Sequence, residues 1–267
     1  NAALKIASGE FLGFVDSDDW LAPDMCESMI RACERYHADI AVCGYYNTPS
    51  PFDRLSCSLK KTAVFDRRQA MRCYLSRPVI GTVIWNKIYR RELFAGLWFV
   101  EKRYNEDEFI MHELFHRAKK VVHIGQCKYF YRRTENSLTR SPFSRAKMDL
   151  IDAVKTKQNF IKCNYPELYP ETIASLARAL LELLYEIEVD PNRDQFGREK
   201  KFLINFLNKN YCEIAGGAHV GLRLKLLSRI ALKNPNLFRA ICQVGATEDF
   251  VKKIGRKLLI NNSERIE

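Results

Sequence analysis

Nine cysteines are scattered along the 267 residues without a single C-x-x-C pair. That absence removes the common zinc-ribbon and dithiol frameworks and leads us to expect a reducing, cytoplasmic setting. No apolar run approaches the roughly 18 residues that a bilayer-spanning helix needs. No signal-peptide pattern stands at the start. His112 and His116 fall four apart on a predicted helix, in the order His112-Glu113-Leu114-Phe115-His116, but no third ligand accompanies them, so zinc is not expected. Negative charge is also short, with 32 acidic against 43 basic residues and a net charge of +11. A basic surface suits an anionic ligand, whether nucleotide diphosphate, nucleic acid, anionic polymer or lipid headgroup. Nucleic acid is the weakest of these, because the basic tail lacks interleaved aromatics or a recognisable reading motif. Hydrophobic residues at 47% and aromatics at 12% are enough for a packed core, which excludes a disordered chain.

What is present begins with one stretch. Residues 10–15 form a short apolar run with the length and composition of a buried parallel strand. It ends in Asp16-Ser17-Asp18-Asp19-Trp20. Carboxylates at the carboxyl end of such a strand stand where open α/β sheets bind ligands. Asp16 and Asp18 alternate along extended backbone, so a slight bend brings both to one hard cation, Mg²⁺ or Mn²⁺, with phosphates completing its shell. The plainer alternative is a turn rich in N-cap residues.

The rest of the chain supplies the frame. Residues 1–9 read as a helix tail stopped by Gly9, and we expect the beginning of the domain to lie outside this sequence. Pro23 opens a helix whose Met25, Met29, Ala32, Cys33 and Tyr36 recur at helical spacing, and Cys26 should share its buried face with Cys33. A strand over 39–46 completes a β-α-β unit, and 47–63 reads as a loop or peripheral hairpin. Asp66 can cap a helix to about Leu75. The segment 81–91 reads as a strand and turn with a solvated basic end, or as a wall carrying Lys87 and aromatics toward a ligand. Asn105 and Glu108 can cap the next helix, which leaves Glu106 and Asp107 free for other work. Residues 121–124 and 128–132 read as two short strands.

From about Ser144 the pattern is helical, and Leu176, Leu180, Leu183, Leu184 and Ile187 mark one strongly amphipathic helix. Between Arg193 and Lys257 stand 14 basic and 5 acidic residues, so most of the net charge lies there. Residues 221–233 mix leucine with Lys and Arg. They read either as an interfacial helix on an anionic membrane or as a packed helix with a solvated basic face.

In this order the motifs resemble the family 2 glycosyltransferases of the GT-A fold. The resemblance rests on residues 5–20, then Trp85-Asn86-Lys87-Ile88-Tyr89-Arg90-Arg91, then Glu106-Asp107-Glu108, and Tyr129-Phe130-Tyr131-Arg132 with Asn136-Ser137. It covers about residues 1–140. It implies an α/β fold with a GT-A-like, Rossmann-related mixed sheet that lacks its N-terminal nucleotide-binding strands, followed by a basic helical region over 145–267. It also implies an inverting transfer from a nucleotide-sugar, UDP being the commonest choice, to a saccharide or lipid-linked acceptor in bacterial surface polysaccharide synthesis. Asp18 matches the principal metal ligand and Asp16 the ribose or metal side. Asp107, with Glu106, matches the catalytic acidic pair. Asp19, Trp85, Lys87, Tyr131 and Arg132 are candidate contacts to donor or acceptor. Because the base-reading strands are not in this sequence, the chain alone is expected to bind donor weakly or not at all. Two rivals differ in class. In a haloacid-dehalogenase-type phosphatase Asp16 would attack phosphorus, although Asp19-Trp20 stand where Thr or Val is expected and no G-D-x-x-x-D follows. The other rival is an inactive remnant or binding module that keeps the fold alone.

Overall fold

The computed structural model describes residues 1–48, 59–76, 79–132 and 141–244. Asn136-Ser137 and part of the 47–63 segment lie outside the described residues. The chain divides into two compact units, one of residues 1–102 and 106–141, the other of residues 103–105 and 142–267.

The first unit is a six-stranded mixed sheet with helices, as the α/β reading expects. In chain order its elements are α1 (Ala2–Ile6), β1 (Phe11–Gly13), β2 (Trp20–Leu21), α2 (Met25–Tyr36), β3 (Ile40–Thr48) and β4 (Ala63–Asp66). They continue with α3 (Arg67–Ser76), β5 (Lys87–Arg90), α4 (Glu106–Arg117) and β6 (Lys120–Arg132). The strand order is β1-β5-β3-β6-β2, with β4 also on β6. Among the described residues only β3 and β6 pair in parallel, and the other pairs are antiparallel.

Several local expectations change on this frame. The apolar run at 10–15 is not a buried parallel strand. Only Phe11–Gly13 is strand, at the end of the path against antiparallel β5, and Leu12 alone among them is buried. The β-α-β unit is present, with β5 inserted antiparallel between β1 and β3. The two short strands expected at 121–132 are one strand, bent where Gly125 takes φ +68°. A β-carbon there would meet the Lys61 backbone at 2.5 Å, so glycine is required both for the backbone angle and for the close approach. Helix α2 starts two residues after Pro23. It buries Met25, Met29, Ala32 and Cys33, while Cys26 is exposed because neighbouring Met25 takes the inward place in the first turn. Asp66 caps α3 reciprocally: its Oδ1 accepts from the Gln69 N–H (2.8 Å) and Gln69 Oε1 accepts from the Asp66 N–H (2.9 Å).

The second unit is helical, with α5 (Asp149–Asn164), α6 (Tyr169–Val189), α7 (Gly197–Lys209), α8 (Tyr211–Gly216), α9 (Leu222–Lys233) and α10 (Pro235–Val244). The 21-residue α6 runs through its core, and Leu176, Leu180, Leu183, Leu184 and Ile187 are all buried, at roughly 2 kcal/mol each. It stops at Asp190, whose extended backbone precedes Pro191 and whose carboxylate accepts from the Phe143 and Asn192 N–H groups. Helix α9 buries Leu224, Leu227, Ser228 and Ala231, and leaves Leu222, Leu226, Arg229 and Lys233 exposed. No described helix is long and apolar enough to cross a membrane.

Candidate active site

The acidic stretch after β1 is a tight turn. The Asp19 N–H donates to the Asp16 carbonyl at 3.1 Å, and β2 then pairs with the far end of β6 through Trp20–Phe130 and Leu21–Tyr129. Tyr129 pins the turn from the sheet. Its hydroxyl donates to Asp19 Oδ2 at 2.6 Å and accepts the Asp16 N–H at 3.2 Å. The Arg132 N–H donates to the other oxygen, Oδ1, of Asp19 at 2.6 Å. Asp19 is therefore engaged with its own sheet, whereas Asp16 and Asp18 are exposed. Sequence reading placed Tyr129 near a strand end and gave it no role. A hydroxyl that closes a loop 113 residues away leaves no local signal.

Electrostatics bring the turn to the start of α4. Although Asp16 stays open to solvent, partial desolvation against the turn raises its carboxyl above the usual range, and the charges of Asp19, Asp18 and Glu106 raise it further. Burial also raises Asp19, against the bonds from Tyr129 and Arg132 that favour its ionised form. Carboxylates that repel one another across a shared space are what a bound divalent cation would relieve. The donor set of Asp16 and Asp18 is all oxygen, as Mg²⁺ or Mn²⁺ prefers. Among the described residues no group of three His, Cys, Asp or Glu could hold a metal ion. Such an ion would therefore take most of its ligands from water or a bound phosphate.

At the head of α4, Glu106 is exposed and Asp107 is half-buried. Asn105 sits in the left-handed region (φ +57°), and Asp107 Oδ1 accepts the Glu108 N–H at 2.8 Å. Burial pushes the Asp107 carboxyl up to about 7, with Glu108 and Glu106 adding to the rise and Lys87 opposing it.

Lys87 has no exposed surface. Its ammonium donates to the Val83 carbonyl and, at 2.8 Å, to Asn86 Oδ1. The Asn86 amide in turn donates to the Cys43 carbonyl at 2.6 Å. Burial brings the Lys87 ammonium down to about 7, against the charges of Asp107 and Cys43. The basic end expected to be solvated thus begins with a lysine that is fully enclosed. Trp85 is likewise buried. It stacks on Tyr129 at 4.2 Å and Tyr131 at 5.6 Å, with Tyr45 edge-on at 4.8 Å. A second aromatic row, Trp20, Phe130 and Tyr46, stacks at 5.5 and 5.0 Å, and its outer member Trp20 is exposed.

The structure therefore gathers Asp16, Asp18, Asp19 and Glu106, and through Glu106 reaches Asp107 and Lys87. It stacks Tyr131 on Trp85 beneath the turn and uses the Arg132 backbone to hold Asp19.

Comparison with known proteins matches residues 1–98 to glycosyl transferase family 2. The uncharacterized glycosyltransferase EpsJ of Bacillus subtilis is 31% identical over 161 residues, covering 55% of this chain and 44% of EpsJ. The glycosyltransferase GlyA of Streptococcus pneumoniae is 28% identical over 167 residues, covering 59% of this chain and 24% of GlyA. The chain thus spans less than half the length of either relative. The crystal structure of S. aureus TarS 1–349 in complex with UDP-GlcNAc superposes with a TM-score of 0.57 at 19% identity, over 91% of this chain and 69% of that one. That likeness is one of fold, and it is the GT-A fold.

Proposed function

We propose that this chain, whose residues 1–98 match glycosyl transferase family 2, transfers a sugar from a nucleotide-sugar, a UDP-sugar by preference, to a saccharide or lipid-linked acceptor. The observation that carries the reading is the meeting of two acidic groups: the exposed turn acids Asp16 and Asp18, and the head of α4 with Asp107 raised to about 7. TarS, which shares the fold, was solved with UDP-GlcNAc and with UDP. The basic surface suits a diphosphate as well.

In the reaction, Asp107 takes the proton of the acceptor hydroxyl, and the freed oxygen pair attacks the anomeric carbon. The bond from that carbon to the diphosphate oxygen breaks on the opposite side, so the sugar inverts and the diphosphate leaves with the bonding electrons. A carboxyl near 7 is a strong enough base to help and ionised often enough to act. Asp18 and Asp16 would hold Mn²⁺ or Mg²⁺, which when bound supplies charge neutralisation to the departing diphosphate. Glu106 stands between the two groups, and the exposed Trp20 offers a flat apolar face beside the turn. The process proposed for this transfer is bacterial surface polysaccharide synthesis, a step beyond the names of the relatives, which say glycosyltransferase alone. The exposed Leu222, Leu226, Arg229 and Lys233 of α9 would suit peripheral contact with an anionic membrane. The phosphatase reading, with Asp16 as nucleophile, draws no support from the family match or the relatives.

Saturation-transfer NMR of UDP over the full chain tests the donor site. The expected result is transfer to the uridine protons in Mg²⁺, lost with EDTA and in Asp18→Ala. Transfer that persists unchanged in EDTA and in Asp18→Ala would count against a donor site built on this turn.

A further inference from the structure

Lys87 and Tyr89 lie two apart on β5, so their side chains share one face of the sheet. Both are fully buried. Asp107 and Met111 lie four apart on α4 and share one face of that helix. The Tyr89 hydroxyl donates to the Ile84 carbonyl at 3.1 Å and reaches Met111 Sδ at 3.9 Å. That contact lays the Asp107–Met111 face of α4 over the Lys87–Tyr89 face of β5, one helical turn from Met111 toward the N-terminus. A lysine enclosed this fully costs several kcal/mol unless an anion faces it. Around it stand Asp107 on α4, Cys43 on β3 and His123 on β6, whose Nδ1 accepts the Gly125 N–H at 3.0 Å. Around Asp107 stand Glu106 and Glu108 on its own helix, with Lys87 and Tyr89 on β5. Lys87 is the cation facing Asp107 from the sheet.

We propose that Lys87 is a positioning residue for Asp107: its ammonium, fixed by Val83 and Asn86, is the buried counter-charge that keeps the Asp107 carboxylate ionised and able to accept a proton. Its part in catalysis rests on Asp107 being the base; its electrostatic part does not. Fully enclosed, Lys87 acts through Asp107 and does not touch donor or acceptor. An arginine would keep the charge but not the fit to the Val83 and Asn86 acceptors.

The test follows the Lys87 side chain itself in the full chain labelled with ¹³C-lysine, its resonance assigned by its loss in Lys87→Arg. In the wild type the Lys87 signal should titrate near neutrality (burial brings it to about 7). In Asp107→Asn its midpoint should fall measurably, because the opposite charge that favours the ammonium is gone. An unmoved midpoint in Asp107→Asn, or an ordinary lysine midpoint in the wild type, overturns the pairing. Where Lys87→Met folds, the ¹³C signal of Asp107 should titrate higher than in the wild type, and an unchanged value also overturns it. With a UDP-sugar the same variant should shift the acid limb of transfer to higher pH, whereas a purely structural lysine would lower the rate without moving the limb. A wild-type chain that transfers no sugar bears on the donor site alone, and the NMR titration then decides on Lys87.

Discussion

Both units bury charge, but they treat it differently. In the helical unit, Glu188 is 2% exposed and bonded to both Lys200 and Arg239. Burial pushes its carboxyl up, yet the two cations overcome that and hold it below its usual range. In the sheet unit, Asp107 faces two further carboxylates and one cation. There burial wins, and the carboxyl rises to about 7. Glu186, bonded to Lys147 at 2.9 Å, falls between: burial raises it and one cation offsets part. The number of cations per buried carboxylate separates a group spent on holding helices together from one held close to its titration point. Only the second kind is useful for moving a proton near neutral pH.

The sharpest test swaps each acid for its amide. Asp107→Asn should cost roughly 100- to 10,000-fold in transfer rate, the range of a lost general base. Its circular dichroism should match the wild type. The wild-type rate should climb as pH passes about 7 and level above it. Stability runs the other way: Asp107 titrates higher folded than unfolded, so its contribution is complete below about 3.8 and lost as pH rises through about 7. Urea unfolding across that window should show this slope in the wild type and a shallower one in Asp107→Asn. Lys87 works oppositely, its penalty fading between about 7 and 10.5.

Glu188→Gln should instead leave the pH profile of transfer unmoved and lower stability by about 1–2 kcal/mol. The figure is kept low because Lys200 and Arg239 are 28% and 37% exposed, so water takes over part of their solvation. If Glu188→Gln moved the pH profile while Asp107→Asn changed only stability, the contrast between the units would be reversed.

Sequence patterning showed where whole elements lie. The stripe of α6 and the Met/Cys face of α2 follow from local periodicity, and Asp16 and Asp18 stand out because three carboxylates end an apolar run. Long-range arrangement was not legible. Nothing in residues 10–15 announces that β5 will insert beside them antiparallel and leave the run half-exposed. Residues 121–124 and 128–132 read as two strands, although the backbone bends at Gly125 between them and continues as one. Lys87 stands three residues before Arg90-Arg91, a context that reads as solvated. Its burial depends on Val83, Asn86 and a helix that begins 19 residues later.

The smallest predicted effect concerns the residue that sequence left without a role. Tyr129→Phe keeps the ring, and with it the stack on Trp85 at 4.2 Å. It removes the hydroxyl that donates to Asp19 and accepts from the Asp16 N–H. The loss should be about 1–1.5 kcal/mol, because Asp19 keeps the Arg132 N–H and both turn residues are open enough to be rehydrated. A donor that favours the ionised form is gone, so Asp19 should titrate higher still. The Asp16 amide, without its acceptor, should exchange with solvent about tenfold faster in hydrogen-exchange NMR. UDP binding in Mg²⁺ should weaken several-fold as the turn loosens, while the acid limb set by Asp107 stays in place. Unchanged exchange at Asp16 would mean that the turn is held by its own 3.1 Å Asp19–Asp16 backbone bond and the β2–β6 pairing. The sheet unit would then resemble the helical one at this point, with a buried polar contact that serves packing alone.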